Sequence, residues 1–187
     1  SAVTAVSRDL LPAIDELISA ISLKSETLRG VCKTGRTHLM DAMPVRMDQI
    51  LNGWAAQLEN ARALISSTLA HLQYVAIGGT AVGTGINTHR DFSAASTQIL
   101  STNVGLEFFP AKEHFSLIGS QDSAVALSGQ LKTLAVALLK ISNDLRWMNS
   151  GPLAGLGEIS LEPLQPGSSI MPGKVNPVIP EAVAMVA

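Results

Sequence analysis

The chain of 187 residues has one cysteine, Cys32. That excludes an internal disulfide and a zinc site of the common multi-cysteine kind, and it makes a reducing compartment the default. Charge is scarce as well: Lys and Arg number 13 and Asp and Glu 15, so the net charge is -2. No electrostatic footprint for nucleic acid or an anionic membrane is present. Charged residues make up 15% and apolar ones 47%, against about 25% charged in an ordinary soluble domain. Too few charges remain to cover a free surface, so much of it is expected to lie against other protein. No basic and then apolar leader opens the chain, and the uncharged stretch from Ala63 to Thr88 is interrupted by Ser, Thr, Gln, His and Gly. Neither a signal peptide nor a membrane span is expected, and the expected location is cytoplasmic. Ser1 opens directly on an apolar-periodic pattern and the last residues read as a helix in mid-course. A piece of a longer polypeptide is the expectation, with domains missing at both ends.

What the chain does have is helical periodicity. Ala124, Leu127, Leu131, Leu134, Leu138, Ile141, Leu145 and Met148 step by three and four, a heptad stripe along one long helix. Its other faces carry Val125, Ala126, Ala135, Val136, Ala137 and Leu139, so this helix is expected to be surrounded. A second long helix is read from Met47 through Trp54, Leu58 and Ile65 to Ala76, and a third from Val3 to Ile21 with a kink at Pro12. No segment shows sustained strand alternation. The fold class implied is all-α, an elongated bundle of long helices in a single domain over residues 1–187.

Three breaks interrupt the helices, at Lys33 to Pro44, Gly78 to Thr88 and Asn149 to Gly173, with a shorter joint from Glu107 to Ser120. The second, rich in glycine, fails as a nucleotide fingerprint: Thr88 stands where Gly83-x-Gly85 needs a third glycine, and the run follows a helix. Close packing of a turn accounts for it. The third leads into Gly167, Ser168, Ser169, Ile170, Met171, Pro172, Gly173, Lys174, Val175, Asn176 and Pro177. Two hydroxyls, an ammonium and an amide on a loop stiffened by proline form a donor set for a carboxylate or other small oxyanion. In the first break Thr37 and His38 stand side by side, and an imidazole holds or releases a proton near neutrality. Glu181 follows Pro177 and Pro180 in the expected first turn of the last helix, where a carboxylate either stabilises the helix or orients an imidazole.

Together these breaks resemble the fumarase/aspartase superfamily, and the whole chain resembles the central helical region of the class II fumarate hydratases. The run from Gly167 to Pro177 marks the superfamily; Gly35-Arg36-Thr37-His38 and Gly79-Thr80-Ala81-Val82-Gly83-Thr84-Gly85 narrow it to the fumarase and aspartase branch. Aspartases carry Gln after that Thr, whereas this chain has His38. The resemblance implies a hydro-lyase interconverting (S)-malate and fumarate with no metal or organic cofactor. Ser168 would be the base, His38 the acid/base group paired with Glu181, and Thr37, Ser169, Lys174, Val175 and Asn176 would hold the substrate. It further implies a homotetramer whose active sites are shared between subunits, and additional binding residues from a preceding segment, so that the 187-residue piece would not turn over alone. After Pro44 the chain departs from the family's pattern, keeping only Gln49 of a Thr-Leu-Gly-Gln-Glu-like stretch. An aspartate ammonia-lyase and a non-catalytic oligomerisation core are the alternatives.

Overall fold

The computed structural model describes residues 1–187. Helix α1 (Ala2–Ala5) runs through a π-helical turn (Val6–Leu10) into α2 (Leu11–Thr27). Pro12 lacks an N–H and its ring opposes the carbonyl of Arg8, and the wider π turn opens the ladder at that point. The kink expected at Pro12 thus takes the form of a π turn on its N-terminal side. A hairpin of β1 (Cys32–Thr37) and β2 (Met40–Arg46) follows, then α3 (Met47–Leu72), β3 (Tyr74–Val75), α4 (Phe92–Val104), β4 (Phe109–Pro110), α5 (His114–Gly119), α6 (Asp122–Met148) and α7 (Val178–Val186). The helical class is as expected. Residues 1–17 and 61–131 form one compact unit, and residues 18–60 and 132–187 another.

In the first unit Val3, Val6, Ile14, Ala61, Ile65, Leu69 and Leu127 are buried, and complete burial of an aliphatic side chain such as Ile65 contributes roughly 1.5–3 kcal/mol. Arg62 pairs with Asp15 through two guanidinium nitrogens. Tyr74 leaves α3 to pair in parallel with Phe109, their ring centroids 5.5 Å apart, which ends the helix before the expected Ala76. The joint from Glu107 to Ser120 contains β4 and α5, and Glu113 caps α5 by accepting from the backbone N–H groups of Phe115 and Ser116. The glycine-rich break packs as anticipated: a Cβ on Gly78 would come within 2.7 Å of Ser93, one on Gly79 within 2.8 Å of Ile118, and one on Gly83 within 3.0 Å of Phe115.

In the second unit Met47, Leu51, Trp54, Ala55 and Leu58 of α3 are buried, as are Leu134, Ala137, Ile141 and Met148 of α6. Trp54 Nε1 donates to Asp144 Oδ2 at 3.1 Å. Lys140 pairs with the same carboxylate and lies 5.7 Å from the centroid of the Trp54 ring. Helix α6 is long and apolar enough, by length and composition, to cross a membrane, but every seventh residue of its stripe, from Leu127 to Met148, is buried in protein. Its other faces are not covered within the chain: Val125, Val136 and Trp147 are 69%, 59% and 56% exposed.

The hairpin is an element that the lack of sustained strand alternation left unannounced. Strand β2 is exposed along almost its whole length, so no buried face imposes an apolar alternation. Its two-residue turn is His38-Leu39, both with left-handed φ of 54° and 62°, where Asn-Gly would have announced the turn. Helix α4 is a second element the sequence pattern concealed. Its residues are mainly small or hydroxylated, and its one buried side chain, Thr97, bonds back to the carbonyls of Ser93 and Ala94. Gly105, with φ 68°, stops it.

Candidate active site

The donor-rich loop closes on itself. Ser168 N–H donates to Lys174 O at 3.2 Å, and Lys174 N–H donates to Met171 O at 3.1 Å. A Cβ on Gly167 would lie 2.9 Å from Lys174 O, so the closure requires glycine there. Within the loop, Ser168 Oγ accepts from Ile170 N–H at 3.2 Å and from Met171 N–H at 3.4 Å. Two backbone dipoles therefore point at the oxygen that would carry negative charge if the hydroxyl lost its proton. Ser168 is half-buried and Ser169 exposed.

Downstream, Val178 N–H donates to Asn176 O and Glu181 N–H to Pro177 O, which starts α7 and sets Glu181 in its first turn. Lys174, Val175, Asn176 and Glu181 line a cavity of about 470 Å³, together with Asn143, Arg146 and Trp147 of α6 and Asn149 and Ser150 just beyond it. Arg146 donates to Asn143 Oδ1 at 3.1 Å and makes no ion pair within the chain. Asn149 Oδ1 accepts from Leu161 N–H at 2.8 Å, which leaves its amide N–H groups for a ligand. Two cations, three amides and one carboxylate around one cavity match a small dianion that exchanges protons.

Four of the eight expected site residues, Lys174, Val175, Asn176 and Glu181, thus come together. Ser168 and Ser169 stand on the adjoining loop. Thr37 and His38 are exposed at the hairpin turn and do not line the cavity. No hydrogen bond or ion pair joins His38 to Glu181 within one chain. Sequence reasoning missed Asn143, Arg146, Asn149 and Ser150. The available signal was a polar run at helical spacing ending an otherwise apolar helix. No three His, Cys, Asp or Glu side chains converge where a metal ion would sit. A cavity of about 450 Å³ in the first unit gathers less chemistry: its Glu113 is taken up by the α5 cap and its Lys112 lies over Tyr74.

Helices that carry such a loop define a class, and the chain belongs to the lyase family, whose model matches residues 1–187. More particularly, it is similar to "Fumarate hydratase class II 2" of Pseudomonas aeruginosa, 64% identical over 187 residues, which are 100% of this chain and 41% of the relative. The class II fumarate hydratase of Xylella fastidiosa (strain Temecula1) is 56% identical over 187 residues, 100% of this chain and 40% of the relative. Among solved structures, the recombinant class II fumarase from Schistosoma mansoni superposes with a TM-score of 0.93 at 37% identity, covering 98% of this chain and 42% of that one. The fumarate lyase:delta crystallin from Brucella melitensis bound to cobalt gives 0.88 at 42% identity, covering 94% and 38%. The chain therefore spans about two fifths of the length of the curated relatives it matches.

Proposed function

We propose that the polypeptide carrying this sequence is a fumarate hydratase, a hydro-lyase that interconverts (S)-malate and fumarate. The observation that carries the reading is the pair of N–H groups aimed at Ser168 Oγ on a loop that continues into the lining of a cavity with Lys174 and Asn176. A serine hydroxyl is a weak base unless its alkoxide is stabilised, and the two amide dipoles at Ser168 Oγ, with the charge of Lys174 on the same loop, would supply that stabilisation. Ser168 takes the C3 proton, and the electron pair of the broken C–H bond delocalises into the adjacent carboxylate as an aci-carboxylate dianion. Lys174 and Asn176 meet the added charge, with Thr37, Ser169 and the backbone at Val175 holding the carboxylates. The pair then returns to form the C2=C3 bond as the hydroxyl leaves C2, protonated to water by His38 paired with Glu181.

An exposed His38 without Glu181 beside it in its own chain supports a site shared between copies, in a homotetramer that covers the apolar faces of α6. The compartment is the cytoplasm. The test is malate and fumarate turnover by the intact polypeptide, followed by fumarate absorbance, with aspartate as control and His38→Gln alongside. Turnover is expected with malate and fumarate alone, falling about 10²- to 10⁴-fold in the variant, the range of one general acid–base group. Ammonia release from aspartate would move the assignment to an ammonia-lyase. An assembled protein silent on all three substrates would leave an oligomerisation core.

A further inference from the structure

We propose that Glu158 is a positioning residue, whose carboxylate clamps the hairpin carrying Thr37 and His38 onto the end of α6 that lines the cavity. Arg36 Nη1 donates to Glu158 Oε1 at 2.7 Å, and Lys33 Nζ lies 3.2 Å from Oε2. The side chains of Lys33, Arg36 and Glu158 are only 13%, 22% and 12% exposed. Residues three apart on a regular strand point to opposite faces, so Lys33 and Arg36 would not meet one carboxylate from an ideal β1. The hairpin is not ideal there: Thr34 pairs with Pro44 and Arg36 with Asp41, so β2 carries one extra residue opposite Gly35, and the stronger local twist of a bulge lets the long side chains of Lys33 and Arg36 meet the one carboxylate. Gly35 makes the bulge possible, because a Cβ there would stand 2.5 Å from Met43 O.

The other half of the clamp is backbone. Glu158 N–H and Ile159 N–H both donate to Met148 O, at 2.8 and 3.2 Å, and Gly157 N–H donates to Ser150 O at 2.8 Å. Met148 ends α6, so its carbonyl has no partner inside the helix and is free to hold the returning chain. The carboxylate reaches the hairpin from the stretch that supplies Asn149 and Ser150 to the cavity. A two-stranded hairpin is marginal in water by itself, and this one is largely exposed. Arg36, bonded to Glu158, immediately precedes Thr37 and His38, so fixing it fixes where they are presented. Glu158 touches no reacting atom in this scheme and acts through His38.

The consequence for turnover rests on the fumarase reading; the clamp itself does not. Glu158→Gln, His38→Gln and the double variant are made in the intact polypeptide, and hydrogen exchange is measured beside kcat/KM. Glu158→Gln is expected to speed exchange of the Cys32–Arg46 amides while the helix amides keep their protection. It is expected to lower kcat/KM up to about a hundredfold, the cost of an ångström of misplacement, but less than about twofold once His38 is Gln, because groups that act as a unit are not additive. Unchanged hairpin exchange would overturn the clamp. The same loss with and without His38 would overturn positioning through His38. A parent that turns over neither malate nor fumarate would refute the fumarase reading and leave the clamp to be judged by exchange. If Glu158→Gln does not fold, Lys33→Gln, which keeps the Arg36 pair, carries the same comparison.

Discussion

Gly167 and Gly173 both bound the donor loop, yet they serve it differently. Gly173 has φ 84° and open space around it, so its need for glycine is conformational. Gly167 is excluded from carrying a side chain by Lys174 O at 2.9 Å, Lys174 N at 3.1 Å and Gly173 N at 3.2 Å. Those atoms are backbone and cannot swing aside. Gly167→Ala must open the Ser168 N–H to Lys174 O bond and carry Ser168 away from Lys174. In the intact polypeptide, kcat is expected to fall by up to about a hundredfold, while the thermal midpoint changes little because the loop is mostly exposed and contributes nothing to either core. Parallel steady-state and thermal melts decide this. Equal kcat would show that loop closure is irrelevant to turnover, and a large drop in midpoint would show the loop to be a stability element.

Among the elements, α5 is the one whose start depends most visibly on one ionised group. The N–H groups of Ser116 and Phe115 bond the Glu113 carboxylate and hold it below the usual carboxylate range. A folded-state pKa that is depressed means stability present above the unfolded value and lost as pH falls through the lowered one. The protection of the α5 amides is therefore expected to decline on acidification below the ordinary Glu range. In Glu113→Gln it should start lower at neutral pH and converge with the parent in acid, as read by hydrogen exchange against pH. A constant gap between the two would refute the cap. At this scale the sequence was legible where one face is buried: α6 runs the length of its heptad stripe and buries every seventh residue of it, Leu127, Leu134, Ile141 and Met148, and α7 begins just after Pro177 with Glu181 in its first turn. It was illegible where polar groups are satisfied inside their own element, as Thr97 is in α4, and where the backbone alone sets the turn, as at His38 and Leu39. The site divided the same way. Its loop residues could be read from their order along the chain, whereas Arg146 and Asn143 belong to it only because α6 ends at the cavity wall.

For the whole molecule the governing quantity is apolar surface that one chain leaves in water. Val125 and Val136 lie on the outer side of α6, 69% and 59% exposed, with Leu139 and Trp147 beyond them. Scattered exposed aliphatics are ordinary, but several along one helix form a patch of the kind that marks an interface. The proposed tetramer accounts for that face, and it also accounts for a site whose His38 and Glu181 do not meet within one chain. Val136→Glu separates these ideas from a merely greasy surface. The added carboxylate would be buried unpaired if a copy packs there, at a cost of several kcal/mol, and would be harmless in water if none does. The intact variant is expected to sediment as a species smaller than the parent, to lose turnover with the assembly, and to regain neither at high salt, since the cost is desolvation and not long-range repulsion. A variant that sediments with the parent and keeps its activity would place the interface on another face. One that dissociates to single copies yet still turns over malate would show that one copy holds a complete site, and His38 would then have to reach Glu181 by movement of the hairpin within its own chain.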